Sequence, residues 1–179
     1  MLLAILAASA FALVACGDSH TGNERQLPAR PYTLDIHQVD PCAALTEHQR
    51  AALDLRPGSG GTAQGGTSRG CAWISDAGLG YTFQTLTSDA SSAIGAEPTA
   101  TIVEVAGFGA VQSAPPAEGT GLPFCQVVLD VADGASLRAQ LQVIPRAPDA
   151  DRRTVDGTCA DVREFAALVL DNLHAQQSR

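Results

Sequence analysis

Residues 124–144 read FCQVVLDVADGASLRAQLQVI, and this stretch decides the fold. Phe124 to Val131 and Leu137 to Ile144 are runs of strand length, rich in Val, Leu and Ile. Between them, Ala132-Asp133-Gly134-Ala135 is turn chemistry, because Asp and Gly tolerate the backbone angles of a reversal. Upstream, Cys71 to Ile74 and Tyr81 to Leu86 are two further strands, joined by Ser75 to Gly80 as a hairpin. Thr101 to Val105 is another strand, and Ala110 to Gln112 a short one.

The period changes toward both ends. Val162, Phe165, Ala166, Val169, Leu170 and Leu173 recur at i, i+3, i+4, i+7, i+8 and i+11. That is one apolar stripe on a helix, able to lie across a sheet. Thr158 and Asp161 offer a capping pair for its start. Nearer the N-terminus, Thr46 and Gln49 fit a capping box, which predicts a helix of about nine residues from Glu47 to Leu55. Asp89 to Ile94 reads as a short helix. Arg56 to Gly70 reads as a Gly-rich loop, and Ser113 to Pro123 as a Pro/Gly loop. The expected fold is α+β. A mainly antiparallel sheet of about five strands carries the N-terminal helix and the C-terminal amphipathic helix.

The chain has 179 residues, 45% hydrophobic and 17% charged, which suits one domain with a true core. Its net charge is −8, from 11 basic and 19 acidic residues. The adjacent basic pair Arg152-Arg153 is flanked by Asp149, Asp151 and Asp156, so no basic face for nucleic acid is expected. Every basic residue is Arg. Without Lys there is no P-loop lysine and no Schiff base for pyridoxal phosphate. No cofactor is expected.

Met1 to Ala15, MLLAILAASAFALVA, is too short to span a membrane comfortably and has the length of a signal-peptide core. It runs into Leu13-Val14-Ala15-Cys16-Gly17, which resembles a bacterial lipobox. The resemblance implies that residues 1–15 are removed and that Cys16 carries lipid. Two acyl chains would then hold the protein at the extracytoplasmic face of the cell membrane. Residues 16–39 contain Pro28 and Pro31 and read as a tether, with a reach of roughly 25 Å as a flexible coil. The folded domain is expected over residues 40–179.

Four further cysteines remain: Cys42, Cys71, Cys125 and Cys159. An even count in an exported chain reads as disulfides, with three pairings open. The favoured one joins Cys42 to Cys71 and Cys125 to Cys159. It would clip the first helical segment to the first strand, and the last helix to the central sheet. A Cys₄ zinc site competes, but no C-x-x-C pair is present.

Asp40-Pro41-Cys42 with Leu45-Thr46, then Cys71-Ala72-Trp73, is similar to the opening of actinobacterial DUF3558 lipoproteins. Val105-Ala106-Gly107-Phe108-Gly109 as a glycine turn, Cys125 in a strand and Cys159 opening the last helix also match. Ala110-Val111 departs from the acid-alanine pair usual after that turn. The resemblance implies an envelope lipoprotein of unknown role, and it transfers no catalytic residue.

Other motifs are weaker. Gly66-Thr67-Ser68-Arg69-Gly70 matches G-x-S-x-G, and Asp130 and His174 follow in hydrolase order. The context is a Gly-rich loop running into a strand, whereas a nucleophile elbow needs strand, turn and helix. Asp149, Asp151 and Asp156 miss the calcium-loop pattern, because Arg153 and Thr154 stand where a ligand and glycine are needed. His48 reads as a surface helix residue, and His174 suits a helix C-terminus. Trp73 is expected to pack on the first disulfide, with a pocket wall as the alternative.

The expected function is a non-catalytic interaction module that docks on another envelope or secretion component. The alternative is a carrier for an apolar or amphipathic ligand between sheet and helix; a hydrolase is remote. Replacing Cys16 with Ala should release the protein from membranes into the soluble fraction. Continued membrane association of Cys16→Ala would mean that something other than lipid holds it there.

Overall fold

A computed structural model gives the fold and describes residues 26–114, 121–145 and 150–178. The expected signal peptide, Cys16 and the first part of the expected tether lie outside the described residues. So do residues 115–120 of the expected 113–123 loop, and residues 146–149.

Seven strands form one antiparallel sheet. They are β1 (Ser59–Ala63), β2 (Ser68–Ile74), β3 (Leu79–Leu86), β4 (Thr101–Val105), β5 (Phe108–Ser113), β6 (Phe124–Ala132) and β7 (Ala135–Val143). Their spatial order is β1-β2-β3-β7-β6-β5-β4. Two meanders, β1 to β3 and β4 to β7, are therefore joined side by side through the β3–β7 ladder, from Leu79↔Val143 to Leu86↔Ser136. The hairpin expected around Gly134 is present as β6–β7, with a register shift between Asp130 and Ala132.

Alternation assigns the two faces. Cys125, Val127, Leu129 and Val131 of β6 point the same way as Leu137, Ala139, Leu141 and Val143 of β7, and all are buried. Helix α2 (Val155–Gln177) lies on this face. Its predicted stripe, Val162, Phe165, Ala166, Val169, Leu170 and Leu173, is buried throughout. Apart from the small Ala166, each such side chain contributes about 1.5–3 kcal/mol on burial. The layer is filled by Phe83, Leu129, Leu137, Leu141, Phe165 and Leu170.

Several expectations need correction. The sheet has seven strands rather than about five. Residues Ser59–Ala63, expected within a loop, pair with β2 from Ser59↔Ala72 to Ala63↔Ser68. Strand pairing uses only backbone groups, so a Gly-rich segment joins a ladder while offering no side-chain alternation to read. Phe108 and Gly109 extend the short strand expected at Ala110. The expected N-terminal helix is not a layer of the architecture. Glu47–Ala52 makes a six-residue helix, α1, capped by Thr46 and Gln49 as expected, but it buries no residue. It stops because Asp54 turns to φ 51° and Leu55 bridges to Ser75. Asp89 to Ile94 narrows to a 3₁₀ turn, Ala90–Ala93. α2 starts at Val155, three residues before Thr158. Thr154 is its cap, accepting from Gly157 N, and Thr158 instead donates its hydroxyl to Thr154 O.

The expected tether is also shorter. From Gln26 on, the chain is docked as a strap. Leu34, Ile36 and Val39 are almost fully buried, and Leu34 N donates to Val131 O at 3.1 Å. The domain therefore includes residues ahead of Asp40.

Both favoured disulfides are present. Cys42–Cys71 and Cys125–Cys159 have Cα separations of 5.0 and 5.1 Å, and close loops of 29 and 34 residues. The chain-entropy model assigns each roughly 3.5–4 kcal/mol. Reduction should therefore lower Tm by on the order of 10 °C or more per bridge. A calorimetric scan unchanged by reductant would refute that contribution.

Candidate functional site

Three surface features gather polar or reactive groups: the strap, a groove at Trp73 and the open sheet face.

The strap passes over the end of β5 and β6. Arg30 grips Asp130 with two hydrogen bonds, Nε to Oδ2 at 2.9 Å and Nη2 to Oδ1 at 3.0 Å, and reaches Asp133 at 2.8 Å. These hydrogen bonds, Asp130 first, hold the guanidinium pKa above its ordinary value. Pro28 lies against Gly109, where a Cβ would stand 2.7 Å from Pro28 Cδ. The second glycine of the Gly-Phe-Gly turn therefore permits close approach of another chain segment. Tyr32 then meets Phe108 edge-on at 4.8 Å and stacks on His174 at 4.0 Å. Burial raises the Tyr32 phenol, and the Asp171 charge adds to this.

Trp73 packs as expected. It is buried, meets Phe165 edge-on at 6.2 Å, and lies beside the Cys42–Cys71 bridge. Tyr81 meets the same Phe165 ring at 5.2 Å, and burial raises its phenol. Trp73 also helps to line an open groove of about 450 Å³ with Cys42, Glu47, Arg50, Leu55 and Pro57. Its Nε1 is buried with no hydrogen-bond partner among the described residues. Arg50 is half-buried, and its Nη1 donates to Leu45 O at 2.8 Å.

The sheet face away from α2 is polar near its middle. Gln140 Nε2 donates to Gln126 at 3.1 Å, and Gln126 Nε2 donates to Ser113 at 2.9 Å. Arg138 donates to Gln84, and burial lowers its pKa. Toward β1 this amide row gives way to a trough of about 190 Å³ lined by Ser59, Gly61, Ala63, Ala72, Thr82 and Gln84. Ile74, 47% exposed, stands on the same face.

The hydrolase residues are not linked as a triad. Ser68 Oγ is buried with no partner among the described residues, Asp130 holds Arg30, and His174 stacks on Tyr32. A Ser–His hydrogen bond is what such a mechanism needs. His48 lies on the exposed α1. The groove, the strap and β1 were not anticipated. The apolar Leu34, Ile36 and Val39 within an otherwise polar segment are the signal that could have revealed the strap.

The class is thus a disulfide-stapled α+β domain, one antiparallel sheet covered on one face by a helix and an N-terminal strap. The family model for a protein of unknown function, DUF3558, matches residues 11–172, and the chain belongs to that family. No curated protein and no solved structure matches it.

The strap contacts can be tested by substitution. Arg30→Ala leaves the Asp130 carboxylate, only 12% exposed, without its main partner. It should lower stability by about 1–2 kcal/mol in urea unfolding. Asp130→Asn combined with it should cost less than the two single changes added, because the groups are coupled. Strict additivity would show that the pair contributes nothing.

Proposed function

We infer that the protein is a lipid-anchored, non-catalytic interaction module of the cell envelope, held at the extracytoplasmic face of the cell membrane through Cys16. The observation that carries the docking reading is the β1–β3 part of the sheet face away from α2, since farther along that face Leu27, Ala90 and Ala93 pack over Leu86 and Val128. α2 covers the other face, while the trough between β1 and β3 presents only small and amide side chains beside the exposed Ile74. Free edge β1 adds unpaired backbone groups that an extended partner segment can use. The anchor reading is supported by the lipobox-like Leu13 to Gly17, which lies inside the family match. No helix among the described residues is long and apolar enough to cross a membrane. Nine residues lie between Cys16 and Gln26, so the docked segment would begin at most about 35 Å from the lipid.

A carrier is the second reading, favoured by the groove and the unpartnered Trp73 Nε1. The ligand then lies beside Trp73, because the layer between sheet and α2 is filled with side chains.

A photo-crosslinking residue at exposed Ala72 tests the docking reading in the intact envelope. A discrete adduct with an envelope protein is expected. Adding Gly61→Arg, where a Cβ meets nothing within 4 Å, should abolish it without changing the melt. No adduct, or one indifferent to Gly61→Arg, would count against this face.

A further inference from the structure

The groove beside Trp73 contains a polar atom that the fold leaves unanswered. A buried indole N–H normally finds an acceptor, and leaving it bare costs about 1–3 kcal/mol. Here Nε1 is sealed by backbone. A Cβ at Gly58 would sit 2.4 Å from Nε1 and 2.6 Å from Cys71 Sγ, so only glycine fits over the indole edge. Gly58 belongs to a short flap. Its beginning is pinned where Arg56 N donates to Ile74 O at 3.0 Å, and its end enters β1 at Ser59. Between these points Pro57 has no amide hydrogen with which to hold the flap down.

The rest of the groove defines what would fit. Ala51, Leu55, Pro57 and the Cys42–Cys71 bridge form apolar walls, and the volume of about 450 Å³ suits a small molecule. Arg50 is the cation on this lining, positioned by its hydrogen bond to Leu45 O, and a guanidinium has further donors for a carboxylate. Glu47 lies one turn earlier on α1 and is exposed, where water and salt weaken its repulsion of an anion.

We propose that this groove binds a small amphipathic organic acid. Its apolar body rests on Leu55, Pro57 and the disulfide, and its carboxylate pairs with Arg50. The Pro57–Gly58 flap lifts so that a ligand oxygen accepts the Trp73 Nε1 hydrogen. This inference rests on the carrier reading and adds the ligand class and the selecting residue.

Trp73 is the chain's single Trp, so its emission reports on the site directly. Octanoate and octanol are titrated into the full chain, followed by Trp73 fluorescence and by calorimetry. Octanoate should shift the emission saturably and bind at least tenfold more tightly than octanol. Arg50→Gln should weaken octanoate at least tenfold with an unchanged circular-dichroism spectrum, and Arg50→Lys should weaken it less. Equal affinity for octanol and octanoate overturns the acid site while leaving a carrier. Octanoate binding unchanged in Arg50→Gln does the same. Neither heat nor an emission change with either probe overturns both. Where Arg50→Gln does not fold, the comparison of the two probes on the unsubstituted chain decides.

Discussion

One antiparallel sheet with a broad apolar face, and a small apolar cluster at Leu86 and Val128 on the other, sets a covering problem that one helix cannot solve. Seven strands about 4.8 Å apart make a sheet roughly 29 Å wide. A helix with its side chains is only about 10–12 Å across. α2 therefore covers β6, β7 and part of β4, and leaves apolar residues uncovered on the β1–β3 flank. Leu34, Ile36, Val39, Ala44 and Leu45 of the N-terminal segment belong to the same core as Trp73, Leu79 and Phe83. The strap is thus a second cover made without a long helix.

An irregular cover has its own difficulty, because its backbone groups have no ladder to join. Side chains answer it. Arg69 Nη2 donates to Ile36 O and His37 O at 2.8 and 3.0 Å. Asn172 and Gln176, on the last turns of α2, donate to Ala44 O and Ala43 O. Gln177 accepts from Asp35 N and donates to Asp35 O, each at 3.0 Å. The polar C-terminal face of α2 is therefore a set of partners for the strap. The Cys42–Cys71 bridge then fixes the end of that segment to β2.

Legibility followed the side chains. The β6–β7 hairpin, the β2–β3 hairpin, β4 and the α2 stripe were readable because each repeats apolar residues at the period of its backbone. The two disulfides were readable from cysteine count and position. β1 was not, since Ser59, Gly60, Gly61, Thr62 and Ala63 have no apolar face and are held by backbone pairing alone. The strap was not either. Leu34, Ile36 and Val39 follow no single period, and their burial depends on a gap in the cover that only the finished sheet reveals. At the candidate site, Trp73 could be singled out as a lone Trp near a cysteine. Its unpartnered nitrogen could not, because that depends on where Gly58 crosses it.

The glycines at the two ends of the sheet make a related point about how this domain divides its surface. Gly109 on β5 admits Pro28, and through it the chain that leads back toward Cys16. Gly58 leads into β1 and closes over Trp73 on β2. In the sheet order, β2 and β5 are separated by β3, β7 and β6, so the two approaches lie roughly 19 Å apart across the strands. The start of the strap is therefore held by the β5 and β6 flank. The groove and the open trough both belong to the opposite flank, where β1 is a free edge. The two approaches use different glycines, but the same N-terminal segment reaches both, since it ends at Cys42 bonded to β2. Cys125–Cys159 ties α2 to the strand next to β5, and Cys42–Cys71 forms a wall of the groove itself. The segment that covers the sheet therefore ends in the wall of the groove, since Cys42 lines it and its Sγ lies 3.3 Å from where a Gly60 Cβ would stand.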